Sequence, residues 1–276
     1  MPNDDMRRYW NDAAGPEWVG LEREFEVALA PFADALLRRA APVPGEHVLD
    51  VGCGFGATTV ALARAVGDDG RVMGLDISEP LLSRARARAE AAAVGNVIWR
   101  QADAQDAPLP PGHFDLVVSR LGVMFFDDPV AAFANLHGAT KQGGRLAFVC
   151  WQPAARNAWY TFPAEVLAPY VTVTPPLPDG PGPFSLGDPD RVRGVLADAG
   201  WGGIGIDEVD AEMVQGAGGD VDAVMHHLVR GPLAAALRDA PLRATALDAL
   251  RTAVAARMGD GPAVWPAKAW AVTARR

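Results

Sequence analysis

His47-Val48-Leu49-Asp50-Val51-Gly52-Cys53-Gly54-Phe55-Gly56 decides the fold. Apolar residues run into an acid, and glycine then recurs at every second position. Beyond Gly56 the spacing turns helical, with Val60, Leu62, Ala63 and Val66 apolar. The pattern predicts a strand, a tight glycine turn and a helix. Glycine has no Cβ, so it reaches backbone angles closed to other residues and lets a ligand lie against the main chain. The following helix offers free N–H groups in its first turn. Strand, turn and helix in that order form a nucleotide-type binding site.

Upstream, residues 5–40 read as helical. Tyr9, Trp10, Trp18, Leu21, Phe25, Ala28, Leu29, Phe32, Leu36 and Leu37 recur at three- and four-residue intervals, and Pro42, Pro44 and Gly45 then break the chain. Downstream, strands and helices alternate. Strands are expected at 71–75, 97–100, 114–119 and 145–151. Helices are expected at 79–92, with Ser78 as its N-cap, and at 129–139, opened by Pro129. Such alternation implies a parallel sheet with helices on both faces, joined by right-handed crossovers. Ligands bind such sheets beyond the carboxyl ends of the strands. Asp50, Asp76, Asp103 and Ser119 should therefore meet at one rim.

The chain after Trp151 is less regular. A helix is expected at 188–199, capped by Asp188, then a strand at 205–209, two or three helices at 221–258 and a last strand at 269–274. The division that follows is a helical lid (1–44), a core (45–152), cap insertions (153–187 and 217–262) and the remainder of the core (188–216 and 263–276).

Composition excludes several classes. The net charge is −9 and no Lys/Arg cluster stands out, which disfavours a nucleic-acid partner. The run Arg84-Ala85-Arg86-Ala87-Arg88 reads as the solvated face of a helix whose Leu81, Leu82, Ala85 and Ala89 point inward. No apolar run approaches ~18 residues, so no membrane span is expected. The polar N-terminus lacks the apolar core of a signal peptide. Cys53 and Cys150 are the only cysteines and suggest no disulfide framework. A reducing, cytoplasmic location is expected, and no metal site.

The pattern D-x-G-x-G-x-G at 50–56 places its last glycine one residue earlier than the dinucleotide fingerprint. It resembles the first motif of the class I S-adenosylmethionine-dependent methyltransferases. Asp76 ends the second expected strand about twenty residues past the turn, where a carboxylate can accept from both ribose hydroxyls. Its other reading is an acid serving the next helix dipole. For Asp103, in Gln101-Ala102-Asp103-Ala104, the resemblance implies an acceptor for the adenine amino group, and a plain turn residue is the alternative. Phe114-Asp115-Leu116-Val117-Val118-Ser119 resembles the fourth motif, whose terminal carbonyls meet the methionine amino group. Gly143-Gly144-Arg145-Leu146 resembles the turn into the fifth strand, with Gln142 where proline is usual.

The resemblance covers residues 45–151. It is greatest to the group that includes ubiquinone and menaquinone methyltransferases, and Arg120-Leu121-Gly122-Val123-Met124-Phe125-Phe126-Asp127-Asp128-Pro129 also looks typical of it. It implies an α/β fold: a Rossmann-like, mostly parallel sheet of seven strands, the last antiparallel, with helices on both faces and a helical or irregular cap. The cofactor residues it implies are Asp50, Gly52, Cys53, Gly54, Gly56, Asp76, Ile77, Ala102, Asp103, Ala104, Ser119 and Arg120. Arg120, which follows the fourth expected strand, can also orient an anionic substrate or simply pair with an acid such as Asp127.

Trp10 and Trp18, with Tyr9, can close over the cofactor or simply pack the N-terminal helix on the sheet edge. Met124, Trp151, Trp159, Tyr160 and Phe162 can line an apolar substrate pocket or form the core of the cap. Methyl transfer from a sulfonium needs an in-line nucleophile and a dry site, with a base only where the nucleophile must lose a proton. If a histidine acts, the candidates are His226 and His227 rather than His47, His113 or His137.

The expected function is methyl transfer from S-adenosylmethionine to O, N or C of a small hydrophobic metabolite, giving S-adenosylhomocysteine. A cyclisation or decarboxylation on the same fold, and a scaffold without chemistry, are alternatives. A nicotinamide reductase lacks support, because no Tyr-x-x-x-Lys pair is present. A nucleic-acid methyltransferase would want Asn/Asp-Pro-Pro-Tyr, where this chain has Ser119-Arg120-Leu121-Gly122. The expected partner is a small molecule, with no nucleic acid and no membrane, and a homodimer is left open.

Overall fold

In the computed structural model, which describes residues 3–172 and 180–276, the run His47–Val51 forms strand β1, buried from Val48 onward. The other strands are β2 (Arg71–Asp76), β3 (Val97–Gln101), β4 (Phe114–Arg120), β5 (Thr140–Trp151), β6 (Gly202–Val214) and β7 (Val264–Arg275). Among the described residues they form one sheet of seven in the order β3-β2-β1-β4-β5-β7-β6. Pairings from β3 through β5 are parallel, and β7 runs antiparallel to both β5 and β6. The strand order reverses between β1 and β4, so a crevice opens beyond their carboxyl ends.

The helices are α1 (Asp4–Arg8), α2 (Ala14–Gly20), α3 (Glu22–Ala40), α4 (Ala57–Val66), α5 (Glu79–Ala91), α6 (Pro129–Ala139), α7 (Ala158–Leu167), α8 (Pro189–Asp198), α9 (Val221–Leu228), α10 (Gly231–Arg238) and α11 (Arg243–Met258). The expected helix over 5–40 is thus divided. A single π-turn, Tyr9–Ala13, separates α1 from α2, and the chain bends at Leu21, just past Gly20. Local π-turns of this kind are frequent at functional sites. The proline-rich stretch 173–179 of the expected cap lies outside the described residues, as do residues 1–2.

Three strands outrun their sequence signals. β5 begins at Thr140 instead of Arg145, so Gly143 and Gly144 lie inside a strand whose register with β4 shifts between Phe114 and Leu116. The chain terminus supports that extension, because Gly143 N donates to Arg276 O and Arg276 N to Gly144 O. β6 and β7 extend to a long hairpin, paired from Gly202↔Arg275 to Val214↔Val264. Its polar outer positions, such as Asp207, Glu208 and Asp210, had masked the strand period.

Residues 215–263 emerge from the far end of this hairpin. There α9, α10 and α11 join α7 around Trp265, which is fully buried, in a core separate from that of the sheet. Phe162 packs on Trp265 with ring centroids 5.4 Å apart.

The N-terminal region is fastened by charge. Glu22 of α3 accepts from Arg84 and Arg88 of α5, both at 2.8 Å, and Glu26 lies 3.8 Å from Arg88. Arg86 turns instead to Glu79 at 2.6 Å. The arginine run is therefore more than a solvated face, because two of its three members clamp α3 to α5. Each partly exposed pair contributes only ~0–1 kcal/mol, so the clamp orients more than it stabilises. At the other end of α3, Arg145 donates to the carbonyls of Ala40 and Ala41 and pairs with both oxygens of Glu46. Those carbonyls would otherwise lack partners at the end of the helix.

Candidate functional site

At the crevice the chain turns from β1 into α4 through Gly52, Gly54 and Gly56, all with positive φ. Two of them have no room for a side chain. A Cβ at Gly52 would stand 2.8 Å from Gly122 Cα, and one at Gly56 would meet Trp99 Cη2 at 2.7 Å and Ala85 Cβ at 2.9 Å. Gly52 thus lets two loops pass backbone to backbone, while Gly56 lets α4 settle against α5 and β3. Leu121, next to Gly122, is held at φ +63, a strained angle for a branched side chain.

These loops floor a cleft of about 900 Å³ that opens to solvent. Gly52, Cys53, Gly54, Asp76, Ile77, Ala102, Asp103, Ala104 and Arg120 line it, together with Trp10 and Trp18. Asp50, Gly56 and Ser119 do not. They sit one layer beneath and shape the floor. Ser119 Oγ donates to Val51 O at 2.7 Å and accepts from Gly122 N at 3.2 Å, which pins the β1 and β4 loops together. Asp50 Oδ2 accepts from Thr59 Oγ1 at 2.6 Å, and its Oδ1 is buried without a partner.

Three carboxyls define the electrostatics. Asp76 Oδ2 accepts from Gly54 N and Oδ1 from Ser78 N, both at 2.8 Å. Burial pushes its carboxyl up to about 6, against the backbone N–H groups that hold it down. Burial pushes Asp50 further, to about 7, although Thr59 and Arg120 oppose the shift. Asp103 is 4% exposed; its Oδ1 accepts from Gln105 N at 3.0 Å, and its Oδ2 is buried with no partner. An orphaned acceptor is costly unless something else donates to it.

Asp50 carries a stability prediction. Its folded carboxyl titrates above the ordinary value near 3.8, so between about 4 and 7 the folded chain holds a proton that the unfolded chain has lost. Stability from this group is full below pH ~4 and declines as pH rises to about 7. Asp50→Asn, which keeps the acceptor for Thr59, should raise the unfolding temperature of the ligand-free protein at pH 8 and leave it unchanged at pH 4. The gain is at most roughly 4 kcal/mol. Thermal unfolding at the two pH values checks it.

The roof is aromatic. Trp10 meets Trp18 and Phe125 edge to face, each at 5.2 Å, and Trp18 stacks on Phe25 at 3.6 Å. All four line the cleft. Nothing local in the sequence announces how this roof is latched. Asn11, in the π-turn, donates to Ile77 O and accepts from Glu79 N, both at 3.0 Å. Ser78, expected to cap α5, instead donates its hydroxyl to Trp10 O at 2.8 Å. Asn11 and Asp76 take the free N–H groups at that helix start, so roof and Asp76 loop are one hydrogen-bonded unit. Arg120 pairs with Glu26 at 3.2 Å, not with Asp127, and Glu26 also lines the cleft.

The five expected substrate residues lie behind this cleft. Met124 is buried, with its sulfur 3.4 Å from Trp151 N. Trp151 packs between Phe32 and Trp159 at 4.6 and 5.1 Å. Trp159 and Tyr160 contact Phe184, and Phe162 belongs to the cap core. They form an aromatic column joining the two cores.

His226 is exposed on α9, in a surface depression with Asp222 and Arg251. His227 is buried, and its Nδ1 accepts from Gly216 N at 3.2 Å. Its proton therefore sits on Nε2, and no lone pair is left to act as a base. Burial, with Arg230 beside it, pushes the imidazole down to about 3.

Residues 48–144 match the family model described as a methyltransferase domain. Aklanonic acid methyltransferase of a Streptomyces species is 34% identical over 141 residues, covering 51% of this chain and 63% of that one. Nocamycin O-methyltransferase from Saccharothrix syringae is 34% identical over 146 residues, 52% of each. The chain thus spans between about half and two thirds of the length of these curated relatives. Among solved structures, YcgJ from Bacillus subtilis has a TM-score of 0.59 over 88% of this chain and 97% of its own, at 16% identity, which is a likeness of fold.

Proposed function

We propose, from the match of residues 48–144 to the methyltransferase domain model, that the chain binds S-adenosyl-L-methionine and transfers its methyl group to an oxygen, nitrogen or carbon of a small apolar molecule. One observation carries most weight. Asp103, whose Oδ2 is buried without a partner, lines a cleft that also holds Asp76 and the glycines Gly52 and Gly54. An adenosyl group offers an amino donor for the first, two hydroxyl donors for the second and a flat body for the third. The residues present therefore fit the cofactor.

When bound, S-adenosylmethionine supplies a methyl on a positively charged sulfur; an acceptor lone pair forms the new bond while the carbon–sulfur bond breaks and its electrons stay on sulfur. The chain's own residues do the rest. Asp76, fixed by two backbone N–H groups, holds the ribose hydroxyls, and Asp103 accepts from adenine. Trp10, Trp18, Phe25 and Phe125 shut out water and surround the cation with ring faces and edges. Positioning of this kind can remove ~7–11 kcal/mol from the barrier. The chemistry proceeds without His226 or His227 as a base.

Met124, Trp151, Trp159, Tyr160 and Phe162 stiffen the wall on which the acceptor rests. We extend the assignment to the cytoplasm, where buried free Cys53 and Cys150 stay reduced. No helix among the described residues is long and apolar enough to cross a membrane.

Two measurements test the assignment. Calorimetric titration with S-adenosylhomocysteine should show one site per chain; no heat of binding would leave a scaffold. With an acceptor in hand, one S-adenosylhomocysteine should form per product. Acceptor turnover without it would assign the cleft to a cyclisation or decarboxylation.

A further inference from the structure

Four charged side chains line the cleft among the described residues. Asp76 and Asp103 are given to the adenosyl group above. The other two, Glu26 of α3 and Arg120 of β4, form a pair with atoms to spare. Glu26 Oε1 accepts from Arg120 Nη2 at 3.2 Å. Glu26 Oε2 stands 3.8 Å from Arg88, beyond hydrogen-bond distance, and accepts from nothing among the described residues. Nε and Nη1 of Arg120 donate to nothing there either. None of these three atoms is sealed from solvent, and the Glu26 and Arg120 side chains keep 21% and 10% of their surface open. One free acceptor and two groups of free donors thus stand side by side on the wall of the cleft.

Their place in the sheet separates them from the adenosyl site. Arg120 ends β4 and Asp76 ends β2, with β1 between the two strands. At ~4.8 Å per strand the pair lies about 10 Å from the proposed ribose contact, across the glycine turn. Phe25 and Leu29 flank Glu26 on α3, Leu121 follows Arg120, and all three line the cleft with Phe126. A few polar groups set in an apolar wall orient a small molecule.

Fastening α3 does not account for the pair. Glu22 and Arg145 already secure the two ends of that helix, and an ion pair of this kind contributes little net stability. Glu26 and Arg120 largely spend their charges on each other, and Arg88 adds one more positive charge close by. The free atoms therefore suit neutral hydrogen-bonding groups better than a second set of full charges, such as the amino-acid tail of the cofactor. A ligand that uses both must carry an O–H or N–H donor next to an acceptor.

We propose that Glu26 and Arg120 recognise two adjacent oxygens on the methyl acceptor. Glu26 Oε2 accepts from a hydroxyl, and Arg120 donates to the oxygen beside it. The acceptor is then an aromatic compound with neighbouring oxygens, and hydrogen bonding, not apolar fit alone, selects it. This assignment rests on the methyltransferase proposal for the same cleft.

The test compares 2,3-dihydroxynaphthalene with 2,3-dimethoxynaphthalene by equilibrium dialysis against the full chain loaded with S-adenosylhomocysteine. The second probe keeps the rings and both oxygens but has no hydroxyl to donate. The wild type should bind the diol at least tenfold more tightly. Glu26→Leu should bring the two probes within about twofold of each other, and Glu26→Gln should keep part of the preference. Equal affinities in the wild type, failure of both probes to bind, or a preference that survives Glu26→Leu would each overturn the assignment. So would a loss of S-adenosylhomocysteine affinity in Glu26→Leu as large as the loss for the diol, which would give the pair to the cofactor tail. The wild-type comparison needs no variant, so a misfolded Glu26→Leu does not blunt it. The two proposals also fail separately. If the wild type does not bind S-adenosylhomocysteine, the methyltransferase assignment falls. If it does, and the two naphthalenes bind alike, only the role of Glu26 and Arg120 falls.

Discussion

Gly52→Val should lower the affinity for S-adenosylhomocysteine by roughly 10²–10³-fold. A left-handed angle costs a residue with a Cβ about 1–2 kcal/mol. The new Cβ would also press on the Cα of Gly122, 2.8 Å away, and backbone cannot rotate aside as a long side chain can. Overpacking of that kind adds ~1–3 kcal/mol. The two loops must part, and both line the cleft. Gly54 makes an internal control. It too has positive φ, but a Cβ there meets nothing within 4 Å. Gly54→Ala should therefore lose only about tenfold, the strain alone. Calorimetry on both variants, with circular dichroism to confirm folding, separates the two. Equal effects would mean that the close approach of the loops is irrelevant to binding.

Asp76→Ala comes next. Losing hydrogen bonds to a charged acceptor costs ~1.5–3 kcal/mol, or roughly 10–150-fold in affinity. The same change frees Gly54 N and Ser78 N, which Asp76 now satisfies. Asp76→Asn separates these roles, because its one carbonyl oxygen serves a single N–H and carries no charge. With the carboxyl at about 6, wild-type affinity should decline as pH falls through that value, since a protonated acid is the poorer acceptor. Asp76→Asn should show no such decline. Wild-type affinity in Asp76→Ala would mean that the ribose lies elsewhere.

The parts of this molecule that sequence reveals are those written in short-range periodicity. β1, the glycine turn and α4 are contiguous, and each residue type there answers a backbone demand. Asp76 and Asp103 were legible for a related reason: position at the end of a strand converts directly into position at the rim of a parallel sheet. What stayed hidden depends on pairs far apart in the chain. Nothing local to Ser78 says that its hydroxyl will turn to Trp10 O. Nothing near Arg84 and Arg88 announces Glu22. Arg120 had an acid in easy sequence reach in Asp127, yet α3 brings Glu26 closer. The length of β6 was missed because Asp207, Glu208, Asp210 and Glu212 mimic a solvated loop, and that of β7 because Pro266 and Lys268 interrupt its first half. The aromatic residues after Trp151 gave composition but no direction, so column and cleft lining looked alike.

The long hairpin of β6 and β7 has a consequence for how such a protein can change. Everything between Val214 and Val264 leaves and re-enters the sheet through neighbouring strands, and its helices share with α7 an apolar centre at Trp265. A segment attached at one doorway can be lengthened, shortened or exchanged without disturbing the register of the strands that carry Asp50 and Asp76. Under the proposed methyl transfer, choice of acceptor and grip on the cofactor can thus drift apart over generations, and a grafted insertion is the natural unit for redirecting that activity.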